Sequence, residues 1–221
     1  MNIFSKLFGS AKDEPLKNAM QAIYRLIDDE EYQNSLFPDV VAHEIKRGLA
    51  CDVLPEATGQ FGLEATNPIP VNGAIGELAY LSRLETSRGE RLLFHRIGAL
   101  GKIDVFEAVT YSGSGWSVFF VDMYHPRRSR RAPTGFKIAG EPRQFSGFHN
   151  TCENFPYDFV QAKVASPDFL RLAYIPLSHV TESIGNKAFS RPLAHKAKLE
   201  IVRAQLSSFQ FHRAENQSDA G

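Results

Sequence analysis

The densest group of side chains with binding chemistry in this chain is a run of four arginines, Arg127, Arg128, Arg130 and Arg131. The run follows a strand-like segment and precedes a proline, so we expect a loop that presents several guanidinium groups to one side. A guanidinium group donates paired hydrogen bonds that match phosphate and carboxylate oxygens. The loop is therefore predicted to bind an anionic ligand or a protein partner, and most of its guanidinium groups should be exposed and unpaired.

The alternative is that these arginines serve the fold itself. The acidic helix segment Asp28 to Glu31 offers carboxylates for ion pairs, and exposed arginines often simply face water. Because the chain has 25 basic and 25 acidic residues and no nucleic-acid-binding motif, the sequence argues against a nucleic-acid partner.

A proline loop at residues 66–73 is the second candidate binding element. Its two prolines preset an extended backbone, and Asn72-Gly73 is typical of a sharp turn, so Asn67 and Asn72 are the binding candidates here. The alternative is structural bracing, in which Ile69 and Val71 cover a sheet edge and the prolines prevent another strand from adding.

Histidines and carboxylates on the predicted sheet are the low-ranking candidates for catalysis. His95, Asp122 and His125 could form an acid/base pair or a metal-assisted site, with Asp104 and Glu107 nearby. Residues three apart on a strand point to opposite faces, so Asp122 and His125 can converge only if the strand ends or bulges near Tyr124. The alternative is that these histidines are hydrogen-bonded structural residues.

Other signatures of chemistry are weak. His149 and Cys152 could form a base and nucleophile, but a buried, inert cysteine is the commoner case. No phosphate-binding loop, dinucleotide fingerprint or nucleophile elbow occurs, so we expect no cofactor and no dedicated metal site. Cys51 and Cys152 show no pairing pattern and are predicted to be free thiols in the cytoplasm.

Helices are predicted at both ends of the chain. Apolar residues recur at helical spacing from Glu14 to about Glu30, and a second helix should run from Pro38 to Arg47 and end at Gly48, forming a hairpin. A C-terminal helix should begin near Ser190. The apolar residues of segment 1–9 share a helical face that we expect to dock on the protein's own core or on a second copy, rather than on lipid, which allows a homo-oligomer.

Strands are predicted in the middle of the chain, at 78–82, 91–97, 103–111 and 116–124. Residues Ser112 to Gly115 should close a hairpin that places Val109 opposite Val118. Apolar residues on both faces indicate that the sheet is covered on both sides. No apolar run approaches the length of a membrane span.

These elements predict one α+β domain over residues 1–213, followed by a flexible tail at 214–221. Residues 1–50 form a helical part, 60–136 a loop and an antiparallel sheet, and 137–213 a mixed part that ends in the C-terminal helix. The fold class is an antiparallel β-meander of about four or more strands, covered by the N-terminal helical hairpin and the C-terminal helix.

A set of short motifs resembles a family of uncharacterised bacterial proteins. The matching segments are 61–62, 66–73, 76–78, 80–84, 94–96 and 103–107, about a third of the chain. The resemblance implies a bacterial source and a compact globular domain, but no activity. The sequence therefore predicts a non-catalytic binding module that uses the arginine loop, with the enzyme built on His95, Asp122 and His125 as the alternative.

Overall fold

The computed structural model describes residues 14–218. The helices are α1 (Glu14–Asp28), α2 (Glu30–Ser35), α3 (Asp39–Arg47), α4 (Gly73–Arg83), α5 (Phe159–Ala165), α6 (Asp168–Arg171), α7 (Leu177–Ile184) and α8 (Leu193–Ser218). The strands are β1 (Ile69–Pro70), β2 (Leu84–Thr86), β3 (Leu92–Leu100), β4 (Ile103–Thr110), β5 (Trp116–Asp122), β6 (Phe136–Ile138) and β7 (Gly147–Phe148). The α+β class is as predicted.

The two predicted N-terminal helices are present as α1 and α3, with the short helix α2 between them. Asp29 separates α1 from α2, and its carboxylate caps α2 by accepting the backbone N–H of Tyr32 at 2.9 Å. Helix α3 ends at Gly48, as the sequence predicts. Ile45 of α3 and Leu26 of α1 are buried, so both helices pack inward through one face.

The main sheet has the order β1-β5-β4-β3-β7 and is mixed, so the prediction of a purely antiparallel meander is wrong. Strands β3, β4 and β5 do form an antiparallel meander, but β1 pairs with β5 and β7 with β3 in parallel. Each edge strand has only two residues, too few to show a period in the sequence. Strands β2 and β6 form a separate two-stranded sheet.

The hairpin between β4 and β5 is present, but its register differs from the expected one. Val109 lies opposite Trp116 rather than Val118, a shift of two residues. The turn is longer at its start, because the N–H of Thr110 already donates to the carbonyl oxygen of Gly115. A shift of two leaves every side chain on its predicted face, and Val118 and Phe120 are buried as expected.

The helices that cover the two faces of the main sheet differ from the predicted ones on one face. Residues 78–82, predicted as a strand, belong to helix α4, which packs on one face of the sheet, while α1 and α2 contact α4. The other face is covered by α8, as predicted, through Leu199, Val202 and Leu206. Helix α8 extends to Ser218, so residues 214–218 of the predicted tail are helical, and segment 1–9 and residues 219–221 lie outside the described residues.

None of the helices found between residues 14 and 218 combines the length and the apolar character needed to cross a membrane.

Gly48 lies where α3 meets the segment after β5. A substitution at Gly48 therefore tests the packing of α3 against that segment. A Cβ atom there would collide with the backbone carbonyl of Tyr124, which cannot rotate away. We expect Gly48→Ala to lower the free energy of unfolding by about 2 kcal/mol or more, measured by urea denaturation. Gly140→Ala is the control, because open space surrounds that position. Equal stability of the two variants would contradict this packing.

Candidate functional site

The arginine loop, residues 127–131, is anchored to the N-terminal helices by Arg128. This side chain is only 8% exposed, and its Nε donates to a Glu30 carboxylate oxygen at 3.1 Å. Its terminal nitrogens donate to the backbone carbonyl oxygens of Ile27 and Asp28. Arg128 therefore serves the fold, as the alternative interpretation predicts.

Arg127 is also paired with a carboxylate. Its Nη1 donates to Oδ1 of Asp52 at 2.6 Å, and the same oxygen accepts the backbone N–H of Arg130 at 2.9 Å. These two hydrogen bonds hold the pKa of Asp52 below its ordinary value. The expectation that most guanidinium groups of the loop are unpaired is therefore wrong for Arg127 and Arg128.

Arg130 and Arg131 are exposed, as the binding hypothesis requires. The guanidinium carbon of Arg131 lies 5.5 Å from the ring centre of Phe61, within the range of a cation–π contact. Within residues 14–218 no carboxylate forms an ion pair with the Arg130 guanidinium group. Its donors remain available to a ligand.

Arg83 of helix α4 meets the arginine loop across a cleft of about 390 Å³, which we call the arginine cleft. The charged side chains that line it are Glu30, Arg83, Arg127, Arg128 and Arg130. Arg83 is held in place by the carbonyl oxygen of Ala139 and by Asp28 at 3.3 Å. Burial lowers the pKa of Arg83, and the nearby positive charge of Arg128 lowers it further.

The charges around the arginine cleft do not balance. Three carboxylates, those of Asp28, Glu30 and Asp52, pair with the guanidinium groups of Arg83, Arg127 and Arg128. The fourth guanidinium group, that of Arg130, is left without a carboxylate among the described residues. The cleft therefore has an excess of positive charge directed toward solvent.

The two asparagine candidates are buried away from this cleft. Asn67 donates to the carbonyl oxygen of Gly59 at 2.9 Å, and Asn72 donates to the side-chain oxygen of Gln33 at 2.9 Å. Strand β1 covers the edge of the sheet beside β5, and Ile69 is fully buried. This geometry matches the bracing alternative for the proline loop.

His95 is a buried residue with both ring nitrogens in use. Its Nδ1 accepts the backbone N–H of Cys152 at 3.0 Å, so Nε2 carries the proton and donates to Glu107 at 3.1 Å. Burial alone would raise the pKa of Glu107, but hydrogen bonds from His195, His95 and Arg191 outweigh burial and hold that pKa far below its ordinary value. This network joins the sheet to α8 and the segment before it.

Asp122 and His125 do converge, because β5 ends at Asp122. The Nε2 atom of His125 lies 3.3 Å from a carboxylate oxygen of Asp122, and its Nδ1 donates to the carbonyl oxygen of Leu49 at 2.8 Å. His95 does not join them. Asp122 lies opposite Ile103, whereas His95 lies opposite Glu107, four residues and roughly 13 Å further along β4.

A different cluster combines Glu77 of α4, Asp104 of β4 and His149, which follows β7. One possible ligand atom from each side chain lies within 4.8 Å of the others. His149 Nδ1 is 2.6 Å from a Glu77 oxygen, and His149 Nε2 is 3.7 Å from an Asp104 oxygen. These residue types are able to hold a metal ion or to share a proton.

Glu77 is the most unusual residue of this cluster, because it is fully buried and neither carboxyl oxygen has a hydrogen-bond partner among the described residues. Burial raises the pKa of Glu77 well above its ordinary value, and the neighbouring Asp104 carboxylate raises it further. Burial also lowers the pKa of His149. Perturbed groups of this kind concentrate at functional sites.

His149 also faces a second cleft, of about 370 Å³, which we call the histidine cleft. His149 and Cys152 both line it, together with residues of α4 and α5. Burial raises the pKa of Cys152 to about 12, so its thiol stays protonated and is a poor nucleophile. Cys51 and Cys152 are both free, as predicted.

Sequence reasoning missed Arg83, which lines the arginine cleft, and Glu77, which completes the cluster with Asp104 and His149. Both belong to α4, part of which was predicted as a strand. Asp104 and His149 were noticed, but in other combinations. If residues 73–83 had been predicted as a helix, Gly73, Glu77 and Tyr80 would have fallen on one face of it. That placement is the signal that would have drawn attention to Glu77.

Comparisons of the chain with protein-family models, with curated proteins and with solved structures find no match. The resemblance to a bacterial family stays a prediction.

The buried state of Glu77 can be tested by its effect on stability. Its raised pKa favours the protonated form in the folded protein, so its contribution is fully present below the ordinary value of 4.5 and is lost as pH rises toward the folded pKa. Glu77→Gln does not titrate. We expect its stability relative to the wild type to increase from pH 5 to pH 8, by up to about 1.4 kcal/mol per pH unit.

Urea denaturation at each pH, with a chelator present, measures this difference. Glu56→Gln, at an exposed position, is the control and should track the wild type throughout. A constant difference between Glu77→Gln and the wild type would mean that Glu77 is ionised in the folded protein.

Proposed function

We propose that this protein is a non-catalytic binding module whose arginine cleft captures an anionic group, a phosphate or a carboxylate. The observation that supports the proposal is the convergence of four guanidinium groups on one cleft, one of them without a carboxylate partner among the described residues. A guanidinium group that is free of internal partners can bind an anion without first breaking an ion pair.

The dimensions of the arginine cleft favour a small ligand over an extended protein surface. Its volume of about 390 Å³ falls within the range of small-molecule sites. The polar lining also argues against catalysis in the arginine cleft, because the hydroxyl of Ser129 already donates a hydrogen bond to the carbonyl oxygen of Asp52 at 2.8 Å. An acidic protein partner that inserts one carboxylate would use the same contacts. Two free thiols support a cytoplasmic location.

The alternative of an enzyme built on His95, Asp122 and His125 has weaker support. His95 is committed to internal hydrogen bonds, and only Asp122 and His125 are adjacent. Neither cleft described above is lined by any of the three.

Binding of inorganic phosphate and pyrophosphate, measured by isothermal titration calorimetry, tests the proposed function. We expect Arg130→Ala to weaken pyrophosphate binding about tenfold, because it removes one charge-assisted hydrogen-bond pair. Added salt should weaken the wild type as well, through screening. Arg88→Ala, which removes an exposed arginine outside the cleft, should bind as the wild type does. Absence of binding, or equal affinities of the two variants, would count against the proposal.

Arg128 should behave in the opposite way to Arg130. Its replacement by alanine leaves Glu30 without its buried partner, so we expect Arg128→Ala to lower the free energy of unfolding by about 3 kcal/mol. Arg130→Ala should change stability by less than about 0.5 kcal/mol. Thermal and urea denaturation of both variants measure this contrast, and equal destabilisation would show that Arg130 also serves the fold.

A further inference from the structure

Three side chains from three separate elements meet beside the histidine cleft. Glu77 comes from α4, Asp104 from β4 and His149 from the segment after β7. They are distant in sequence, so only the fold brings them together. Two of the three, Glu77 and Asp104, are buried, whereas His149 is partly exposed and lines the histidine cleft.

Glu77 is the observation that points to a ligand. Its side chain has no exposed surface, and both carboxyl oxygens lack hydrogen-bond partners among the described residues. His149 Nδ1 is 2.6 Å from one of these oxygens, yet it too has no hydrogen-bond partner there, so the contact lacks hydrogen-bond geometry. A buried carboxylate that accepts no hydrogen bond is costly, because it has given up its hydration.

The Asp104 carboxylate is oriented so that one of its oxygens faces His149. Arg96 donates from Nε and from Nη2 to the same atom, Oδ1, at 2.9 and 2.7 Å. The other oxygen, Oδ2, is the one directed toward His149, at 3.7 Å. Arg96 is thus a positioning residue that leaves Oδ2 available as a ligand.

We propose that Glu77, Asp104 and His149 bind one divalent transition-metal ion beside the histidine cleft. Two carboxylate oxygens and one imidazole nitrogen suit zinc, manganese or iron better than magnesium, which prefers an all-oxygen shell. A cation also supplies the positive charge that two buried carboxylates lack, since Arg96 is the one permanently charged residue between 14 and 218 that forms an ion pair with either of them.

The spacing fits such an ion after small adjustments. Ligand atoms bound at about 2.1 Å from a metal lie no more than about 4.2 Å apart, and the three present here lie within 4.8 Å. His149 is the residue able to move, because it is partly exposed. His149 also lines the histidine cleft, so an ion can approach the three side chains from that side.

The experiment titrates protein without an affinity tag, after dialysis against a chelator, with Co²⁺, Zn²⁺ and Mg²⁺. Visible absorption follows Co²⁺, and isothermal titration calorimetry follows Zn²⁺ and Mg²⁺. We expect one Co²⁺ or Zn²⁺ per chain, with Mg²⁺ bound at least tenfold more weakly. Glu77→Gln and His149→Ala should each weaken Zn²⁺ binding at least about tenfold. His179→Ala removes an exposed histidine on α7 and should bind as the wild type does.

Circular dichroism of each variant without metal establishes that it is folded, and the near-isosteric Glu77→Gln keeps the test valid if His149→Ala unfolds. Three outcomes overturn the proposal: no binding by the wild type, unchanged affinity in folded Glu77→Gln, or loss of binding in His179→Ala. A thiolate-to-cobalt absorption band also overturns it, because the ion would then be held by Cys51 or Cys152.

Discussion

The packing of helix α4 against the antiparallel strands β3, β4 and β5 is the constraint on which the rest of the structure depends. Most of α4 is buried, including Leu81 and Tyr80, and it lies between the sheet and the N-terminal helices. Fully burying one such large apolar side chain stabilises the fold by about 1.5–3 kcal/mol. Because α4 is fixed on both sides, the polar side chains that it carries are fixed as well. Glu77, at its middle, joins Asp104 and His149, and Arg83, at its end, lines the arginine cleft.

The same burial explains why α4 was the part of the fold that the sequence concealed. An amphipathic helix shows a period of 3.6, but a helix covered on nearly all sides has apolar residues throughout, and Leu78 to Leu81 then look like a buried strand. Asn72-Gly73 strengthens the wrong interpretation because the pair is typical of a hairpin turn. Here Gly73 has a φ of 71° and begins a helix instead. Helices α1, α3 and α8 each have one solvated face. Their sequences therefore show the amphipathic period of 3.6 residues, and this period made them predictable.

The candidate site residues were predictable from the sequence only where they are neighbours in the sequence. The arginine loop could be located because its members are adjacent, and the condition for Asp122 and His125 to converge, a strand that ends or bulges near Tyr124, is also a local one. Arg83 joins the arginine cleft, and Glu77 joins its cluster, through contacts between residues 27 or more apart in sequence, as from Asp104 to Glu77. Such contacts depend on the mixed sheet and its short parallel edges, for which no local pattern exists.

Burial, rather than residue type, separates the roles of Arg128 and Arg130. Both are arginines of one loop, yet Arg128 has exchanged its hydration for Glu30 and two carbonyl oxygens, and any ligand would have to compete with those contacts. Arg130 keeps its hydration, which a phosphate or carboxylate can replace with little rearrangement. The buried arginine therefore gives the loop its shape, and that shape directs the exposed arginine toward the cleft. A cluster of like charges can in this way stabilise a fold and still present one charge to a ligand.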